Sequence, residues 1–372
     1  RLRRGAVIRV QHEDGKRWHI AQLPEAEAAF IALDPRDGAV RALIGGFDFQ
    51  RNKFNHITQA WRQPGSSFKP FIYSASLEKG FTPATVIPDE PIVVEAEVTG
   101  SQRWEPKNYD GKFEGPMRMR SALAKSKNMV SIRILQGIDP KYAQDYVTRF
   151  GFDADKHPPY LTMALGAGSV TPLQMARGYA VFANGGYLIQ PYFIQKIVDD
   201  RGNPLGAAQP QRAGEEALRA IDARNAFIMD SMMQDVTRYG TAASVGKFGR
   251  RDLAGKTGTT NDFVDAWFCG YQPELVGIAW VGYDQPKSLG KNQTGGRVAL
   301  PIWIEYMGKV LKTLPEATRV VPQGVVAVSI GPDPAAAGAG GGGAEFFYRE
   351  FAPTELAPPA GTSALAPVPA AN

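Results

Sequence analysis

A serine three residues before a lysine can supply a nucleophile and its base, and this spacing occurs repeatedly along the chain. A serine hydroxyl is a weak nucleophile until a base removes its proton and nearby donors stabilise the oxyanion. Chance matches to so short a pattern are expected in 372 residues, so the surrounding sequence must separate them. The four matches are Ser66/Lys69, Ser76/Lys79, Ser244/Lys247 and Ser288/Lys291.

Helix polarity distinguishes the first two pairs. Ser66 follows a proline–glycine pair at the predicted start of a helix, where free N–H groups and the positive end of the dipole favour an oxyanion. The same field opposes protonation of Lys69. Ser76 and Lys79 lie at the other end of this helix, among backbone carbonyls. Ser67 points to another side of the helix from Lys69. Ser66 is therefore the better candidate nucleophile of the set, although this motif alone favours the interpretation of Ser66 as a helix N-cap.

Two further motifs occur once each. Ser126-Lys127-Asn128 is the only Ser-x-Asn sequence, at a predicted helix–loop junction, and Lys256-Thr257-Gly258 is the only Lys-Thr-Gly, in a predicted strand. Each is weak by itself, as a helix cap and a polar strand. In the order S-x-x-K, S-x-N, K-T-G they form the signature of penicillin-recognising serine enzymes.

Longer segments resemble one family within this class. They include TQAWRQPGSSFKPFIYSASLEKGFTPAT, WEPKNYDGKFEGPMRMRSALAKSKNM, RGYAVFANGG, TRYGTA and GKTGTTNDFVDAWFCGYQPELVGIAWVGYD. Over about residues 25–312 the chain resembles the transpeptidase domain of class A penicillin-binding proteins of the 1A type. The resemblance implies an α+β fold of the serine β-lactamase/D,D-transpeptidase type, in which helices cover both faces of one antiparallel sheet.

The resemblance also implies a reaction. The expected enzyme is a peptidoglycan D,D-transpeptidase that acts on stem peptides ending in D-Ala-D-Ala and is acylated and inhibited by β-lactams. In this family Ser66 would attack the substrate carbonyl, and Lys69 would be its base. Ser126, with Lys256 nearby, would relay a proton to the leaving amine. Asn128 would hold the donor peptide and help to fix Lys69.

The third motif implies the binding surface. Thr257, Gly258 and Thr259 would receive the substrate as an added β-strand, and Gly258 would let the peptide approach the backbone closely. The oxyanion hole would consist of the backbone N–H groups of Ser66 and Thr259. Lys127, between the second motif's two functional residues, is expected to face solvent. Trp61, Arg62, Trp104 and Tyr109 either wall the cleft or pack elsewhere.

Composition excludes several other classes of function. The net charge of +5 is modest and dispersed, without the basic stripe of a nucleic-acid-binding protein. The lone cysteine, Cys269, excludes an internal disulfide, and none of the four histidines has ligand spacing. We therefore expect no metal and no cofactor.

Three regions are predicted along the chain. Residues 1–24 alternate as a strand pair around Asp14-Gly15 and resemble the trailing part of an OB-like domain. Residues 25–320 form the transpeptidase domain, with a hairpin near its start, helices at 221–239 and 300–312, and C-terminal strands between them. Residues 321–372, rich in Ala, Gly and Pro, are predicted to be largely disordered, including the aromatic patch EFFYREF. The family's glycosyltransferase domain and membrane anchor have no counterpart here. The implied substrate places the enzyme on the periplasmic side of the bacterial inner membrane.

Rival functions on the same fold stay open at this point. A class A serine β-lactamase uses a glutamate between the second and third motifs, but residues 129–214 contain none, and Glu215 and Glu216 lie in a polar stretch. A D,D-carboxypeptidase would share all three motifs. A non-catalytic β-lactam sensor is disfavoured because all the motif residues are intact.

Overall fold

The computed structural model describes residues 3–12, 17–95, 102–331 and 344–353, so the turn predicted at Asp14-Gly15 lies outside it. The strands are β1 Arg9–His12, β2 Trp18–Ala21, β3 Glu27–Leu33, β4 Val40–Ile44, β5 Val86–Asp89, β6 Gly115–Arg118, β7 Lys196–Val198, β8 Pro204–Ala207, β9 Ala254–Thr259, β10 Asp265–Gln272, β11 Leu275–Gly282, β12 Val325–Ser329 and β13 Ala344–Tyr348. The α-helices are α1 His56–Gln59, α2 Lys69–Leu77, α3 Met119–Lys125, α4 Asn128–Ile138, α5 Pro140–Val147, α6 Pro172–Ala183, α7 Ala223–Arg238 and α8 Leu300–Val310.

The main sheet is antiparallel throughout and has the strand order β4-β3-β11-β10-β9. The N-terminal hairpin β3-β4 therefore pairs with the C-terminal strands, as predicted. Every residue of β10 is buried because helices cover both faces. On one face Phe268 packs edge-on against Trp303 of α8, and on the other Tyr271 packs edge-on against Tyr179 of α6. The predicted fold class is confirmed.

Helix α2 crosses the interior of the domain, and all nine of its residues are buried. Its polar side chains are satisfied by neighbouring helices: the hydroxyl of Ser74 donates to Oδ1 of Asn225 in α7 at 2.6 Å. A 3-10 turn, Gly65–Phe68, leads directly into this helix. The packing of α2 thus fixes the position of this turn, which carries Ser66, beside the edge strand β9.

The C-terminal region contains structure where disorder was predicted. Strand β13 pairs with β12 and buries Phe347 and Tyr348. Phe346 packs edge-on against Phe227 of α7, and the hydroxyl of Tyr348 donates to Glu78 at 2.9 Å. The prediction was wrong for this segment because the Ala/Gly/Pro-rich composition around it outweighed a short run of strand-forming aromatic residues.

The N-terminal hairpin β1-β2 is exposed along almost its whole length, and its origin in an OB-like domain stays a prediction. Within the described ranges, no helix has the length and apolar character needed to span a bilayer.

Candidate active site

The turn Gly65–Phe68, the Ser66 turn, packs against the backbone of β9. Gly65 has φ +55°, and a Cβ there would lie 2.6 Å from the carbonyl oxygen of Thr259, so only glycine allows this approach. Ser66 lines a cleft, whereas Ser67 is fully buried and its hydroxyl donates to the Pro64 carbonyl at 2.7 Å. Of the two adjacent serines, Ser66 alone faces the cleft, as helix geometry predicted.

Lys69 is fully buried beneath this turn. Its Nζ donates to the Ser126 carbonyl and to Oδ1 of Asn128, both at 2.7 Å, and lies 3.3 Å from Oγ of Ser126. The two nearer oxygens can only accept, so they use both hydrogens of a neutral amine and leave its lone pair for a hydroxyl. Burial lowers the pKa of Lys69 well below its ordinary value, and the positive charges of Lys256 and Lys127 lower it further.

Ser126 lies between two amines. It ends α3 in the left-handed conformation, with φ 60° and ψ 39°, which turns both its carbonyl and its hydroxyl toward the buried lysines. Its Oγ accepts from Nζ of Lys256 at 2.8 Å. Lys256 is the first residue of the third motif, lies in β9 and is fully buried. Burial lowers the pKa of Lys256 to about 7. A hydroxyl that touches two amines with lowered pKa values can pass a proton between them.

The cleft has a volume of about 760 Å³ and runs along the free edge of β9. Thr257 and Thr259 line it, and their hydroxyls are held by Thr241 at 2.6 Å and by the N–H of Gly295 at 3.1 Å. The structure gives a reason for Gly258 besides the predicted one, which stays a prediction. A Cβ there would lie 2.5 Å from the Pro64 carbonyl, so glycine is needed for the Ser66 turn to pack on β9.

Aromatic residues narrow one end of the cleft. Trp104 and Tyr109, whose positions sequence left open, both line it. The Tyr109 ring meets the Phe263 ring edge-on at 5.9 Å, and its hydroxyl donates to Asn292 at 3.2 Å. Phe263 has φ 58°, an uncommon conformation that no sequence signal predicted. Arg62, by contrast, is paired with Asp265 at 2.7 Å and lies over Trp280.

Lys127 does not face solvent, contrary to the prediction. Only 3% of its side chain is exposed, and its Nζ lies 2.8 Å from Glu114, 3.3 Å from Asp110 and 3.4 Å from Asp89. The three carboxylates come from β5 and from the loop before β6, which the local sequence around Lys127 gives no means of placing. Asn108 in the same loop was also missed; its Oδ1 accepts from the N–H of Asn128 at 2.8 Å.

Across the ranges that the structure describes, no three His, Cys, Asp or Glu side chains are grouped so that they could hold a metal ion.

The three assembled motifs have the order and the setting of the signature of penicillin-recognising serine enzymes. Residues 28–307 match the penicillin binding protein transpeptidase domain, and the chain belongs to that family. Penicillin-binding protein 1A of Neisseria lactamica is 51% identical over 88% of this chain, and that of Pseudomonas aeruginosa is 43% identical over 95% of it. The chain spans only 41% and 48% of these two relatives.

Solved structures agree with this assignment. Penicillin-binding protein 1A from Haemophilus influenzae matches with a TM-score of 0.88 and 36% identity over 94% of this chain and 57% of that one. The PonA1 protein from Mycobacterium tuberculosis, solved in complex with penicillin V, matches with a TM-score of 0.68 and 29% identity over 82% of each chain. The resemblance stated from sequence is confirmed.

Proposed function

We propose that this chain is the D,D-transpeptidase domain of a class A penicillin-binding protein, which cross-links peptidoglycan stem peptides through an acyl-enzyme on Ser66. The observation that carries the proposal is the Ser126 hydroxyl held between Nζ of Lys69 and Nζ of Lys256 beside a cleft lined by Ser66. Family membership and the penicillin V complex of PonA1 support β-lactams as covalent inhibitors.

In the acylation step, Lys69 accepts the proton of Ser66 as Oγ attacks the penultimate D-Ala carbonyl. Lys69 suits this role because its two obligate acceptors leave the lone pair of a neutral amine unused. The tetrahedral oxyanion would be held by the backbone N–H groups of Ser66 and Thr259. The contact of Gly65 with the Thr259 backbone supports this pairing.

Collapse of the intermediate breaks the C–N bond to the terminal D-Ala. The leaving amine takes a proton from the Ser126 hydroxyl, which is replenished through Lys69 or Lys256. An amine of a neighbouring stem peptide then attacks the ester, loses a proton to the same network and restores Ser66. The free edge of β9, with Thr257 and Thr259, would bind the donor peptide as an added strand and its terminal carboxylate.

One hydrolytic function on the same fold, that of a class A β-lactamase, is less well supported. Gly166 lies against the Ser66 turn. The segment that contains it, residues 162–167, has no carboxylate that could activate water. Glu215 and Glu216 are exposed and do not line the cleft. This disfavours the glutamate-assisted hydrolysis of a class A β-lactamase. A D,D-carboxypeptidase shares all three motifs and differs only in using water as the acceptor, so its products must distinguish it.

The natural protein is proposed to be longer than this chain. Its relatives are more than twice the length of the matched segment in the Neisseria case. As in class A enzymes generally, we expect a glycosyltransferase domain and a membrane anchor, with the transpeptidase on the periplasmic side of the inner membrane.

Labelling with a fluorescent penicillin followed by mass spectrometry of the modified peptide tests the nucleophile. We expect one adduct on Ser66, none in Ser66→Ala, and undiminished labelling in Ser67→Ala if that variant melts at the wild-type temperature. A folded wild-type protein without label, or with label elsewhere, would overturn the assignment.

A second assay distinguishes the rival reactions. Incubation with a D-Ala-D-Ala stem peptide should release D-Ala and form a cross-linked product when an amine acceptor is present. Hydrolysed peptide as the sole product would indicate a carboxypeptidase. A penicillin adduct lost within seconds would indicate a β-lactamase.

A further inference from the structure

Lys127 is a buried cation with three carboxylate partners beside the catalytic residues. We call this group, Lys127 with Asp89, Asp110 and Glu114, the Lys127 anchor. Asp89 is completely buried, whereas Asp110 and Glu114 are partly exposed. A lysine is almost never buried to this degree unless it is paired. Glu114 also binds Lys125 at 2.6 Å, so the anchor is joined to the end of α3 as well.

The anchor is connected back to the next residue of the second motif. Oδ1 of Asp89 accepts from Nδ2 of Asn108 at 2.7 Å, and Oδ1 of Asn108 accepts from the N–H of Asn128 at 2.8 Å. The side chain of Asn128 donates to the Lys107 carbonyl and accepts from Lys69, both at 2.7 Å. The ion pair between Lys127 and Asp89 is therefore linked through Asn108 to the backbone N–H of Asn128, and these contacts fix the position of the Asn128 backbone.

The backbone of Lys127 holds the residue on its other side. Ser126 has φ 60°, a conformation that is unfavourable for a non-glycine residue and persists only when its surroundings enforce it. The N–H of Lys127 donates to the Ala122 carbonyl at 2.9 Å, and its carbonyl accepts from the Ser131 hydroxyl at 2.9 Å. These bonds point Ser126 toward the cleft while the Lys127 side chain is directed into the anchor.

We propose that Lys127 is a positioning residue of the acylation step: the anchor holds Ser126 and Asn128 around Lys69, and it places the Lys127 charge one residue away from the Asn128 side chain that Lys69 binds. This inference rests on the proposed function. It assigns a role to the middle residue of the Ser-x-Asn motif, which touches neither the cleft serine nor either catalytic amine in the described structure.

Charges reach Lys69 from three elements. Lys256 of β9 and Lys127 at the start of α4 disfavour its protonation, and Asp89 of β5 favours it. Burial is the largest cause of the lowered pKa of Lys69, and the charges of Lys127 and Asp89 change this pKa by smaller amounts. Because these charges have opposite signs, removing each one separately should move the protonation of Lys69 in opposite directions.

The test is the acylation rate with a fluorescent penicillin, measured from pH 5 to pH 10. Lys127→Met should slow acylation about tenfold at pH 7 and move the acidic limb of the profile to higher pH. Asp89→Asn should move that limb to lower pH, and the double variant should fall between the two. Lys127→Arg, which keeps the charge, should stay within about threefold of the wild type.

Matched measurements separate the possible failures. Lys141→Met removes an exposed lysine that is paired with Asp145 far from the cleft, and its profile should equal that of the wild type. All rates are compared below the melting temperature of each variant. An unlabelled wild type would defeat the proposed function itself. A labelled wild type whose Lys127→Met variant loses rate equally at every pH, or not at all, would overturn the charge-setting role of Lys127.

Discussion

Buried cations occur in two settings in this domain, and they differ in their partners. At the base of the cleft, Lys69 and Lys256 are fully buried and bind only neutral oxygens. Beside the cleft, Lys127 is held by three carboxylates, and Arg120, between α3, α7 and β13, is held by Glu345 and Asp235. Burial lowers the pKa of both cleft lysines. Burial would also lower the pKa of Lys127 and of Arg120, but their carboxylate partners raise both above the ordinary value.

The contrast shows that burial alone does not decide whether a lysine is a base or a structural cation. Desolvation acts on all four side chains, and the presence of acidic partners decides which protonation state is stable. The cleft lysines therefore suit the proposed role in proton transfer, whereas Lys127 and Arg120 form ion pairs with segments that are distant in the sequence. Four predictions test this division, from the largest expected effect to the smallest.

Replacing Lys69 with methionine should separate activity from stability. Loss of the base should slow penicillin acylation by about 10³-fold. The free energy of unfolding should stay equal or increase, since an apolar side chain of similar volume replaces an amine with no carboxylate partner. Acylation kinetics and urea denaturation measure the two effects. Acylation within tenfold of the wild-type rate would remove Lys69 from the role of base.

The same substitution at Lys127 should lower stability strongly and acylation only moderately, which is the reverse of the effect expected at Lys69. Lys127→Met leaves the buried carboxylate of Asp89 without its cation, so the free energy of unfolding should fall by about 3 kcal/mol. Urea denaturation at pH 7 measures this change. Lys141→Met, at an exposed pair, should cost less than about 0.5 kcal/mol. Equal destabilisation by Lys127→Met and Lys69→Met would contradict the division.

His157 extends the comparison to a neutral base. Within the described structure neither ring nitrogen has a hydrogen-bond partner, and the ring stacks on Phe68 at 4.6 Å. Burial lowers the pKa of His157 from 6.5 to about 4. The unfolded chain therefore binds a proton that the folded chain does not, and stability present above pH 6.5 is lost as the pH falls toward 4.

Substitution His157→Phe should remove about 3 kcal/mol of this pH dependence. The free energy of unfolding, measured by urea denaturation at pH 7 and pH 4, reports the difference. His12→Gln, at an exposed position of β1, should retain the wild-type dependence. An unchanged pH dependence in His157→Phe would show that the ring is protonated in the folded protein.

Glu345 tests the structural role of the C-terminal strand. Its carboxylate accepts from Nε of Arg120 at 2.7 Å, and Arg120 lies in the first turn of α3, the helix capped by Ser126. Glu345→Gln should lower the free energy of unfolding by about 2 kcal/mol, because the largely buried Arg120 loses one of its two carboxylate partners. Glu350→Gln, at an exposed pair with Arg224, is the control and should cost less than about 0.5 kcal/mol. Similar small decreases in the free energy of unfolding in both variants would indicate that β13 contributes little to the stability of the domain.

Local signals predicted much of the fold. The helix predicted over 221–239 occurs at Ala223–Arg238, with Asp222 as its N-cap, and the one predicted at 300–312 occurs at Leu300–Val310. The disorder predicted for the C-terminal region was wrong for Ala344–Tyr348, because this strand is stabilised by long-range contacts with α7 and β12. Such contacts leave no periodic pattern in a five-residue strand.

The same distinction between local signals and long-range contacts applies to the candidate site. By itself the sequence determined which side chains are candidates for the chemistry: helix polarity and spacing favour Ser66 over Ser76 and Ser67, and the two later motifs supply its partners. Tertiary structure alone decided how deeply the cleft lysines are buried and which charges lie beside them. Lys69 meets Ser126 across 57 residues, Lys256 meets it across 130, and Asp89 reaches Lys127 from another element. A lysine's pKa depends on its burial and on its nearest charges, and folding places both beside it from distant parts of the chain.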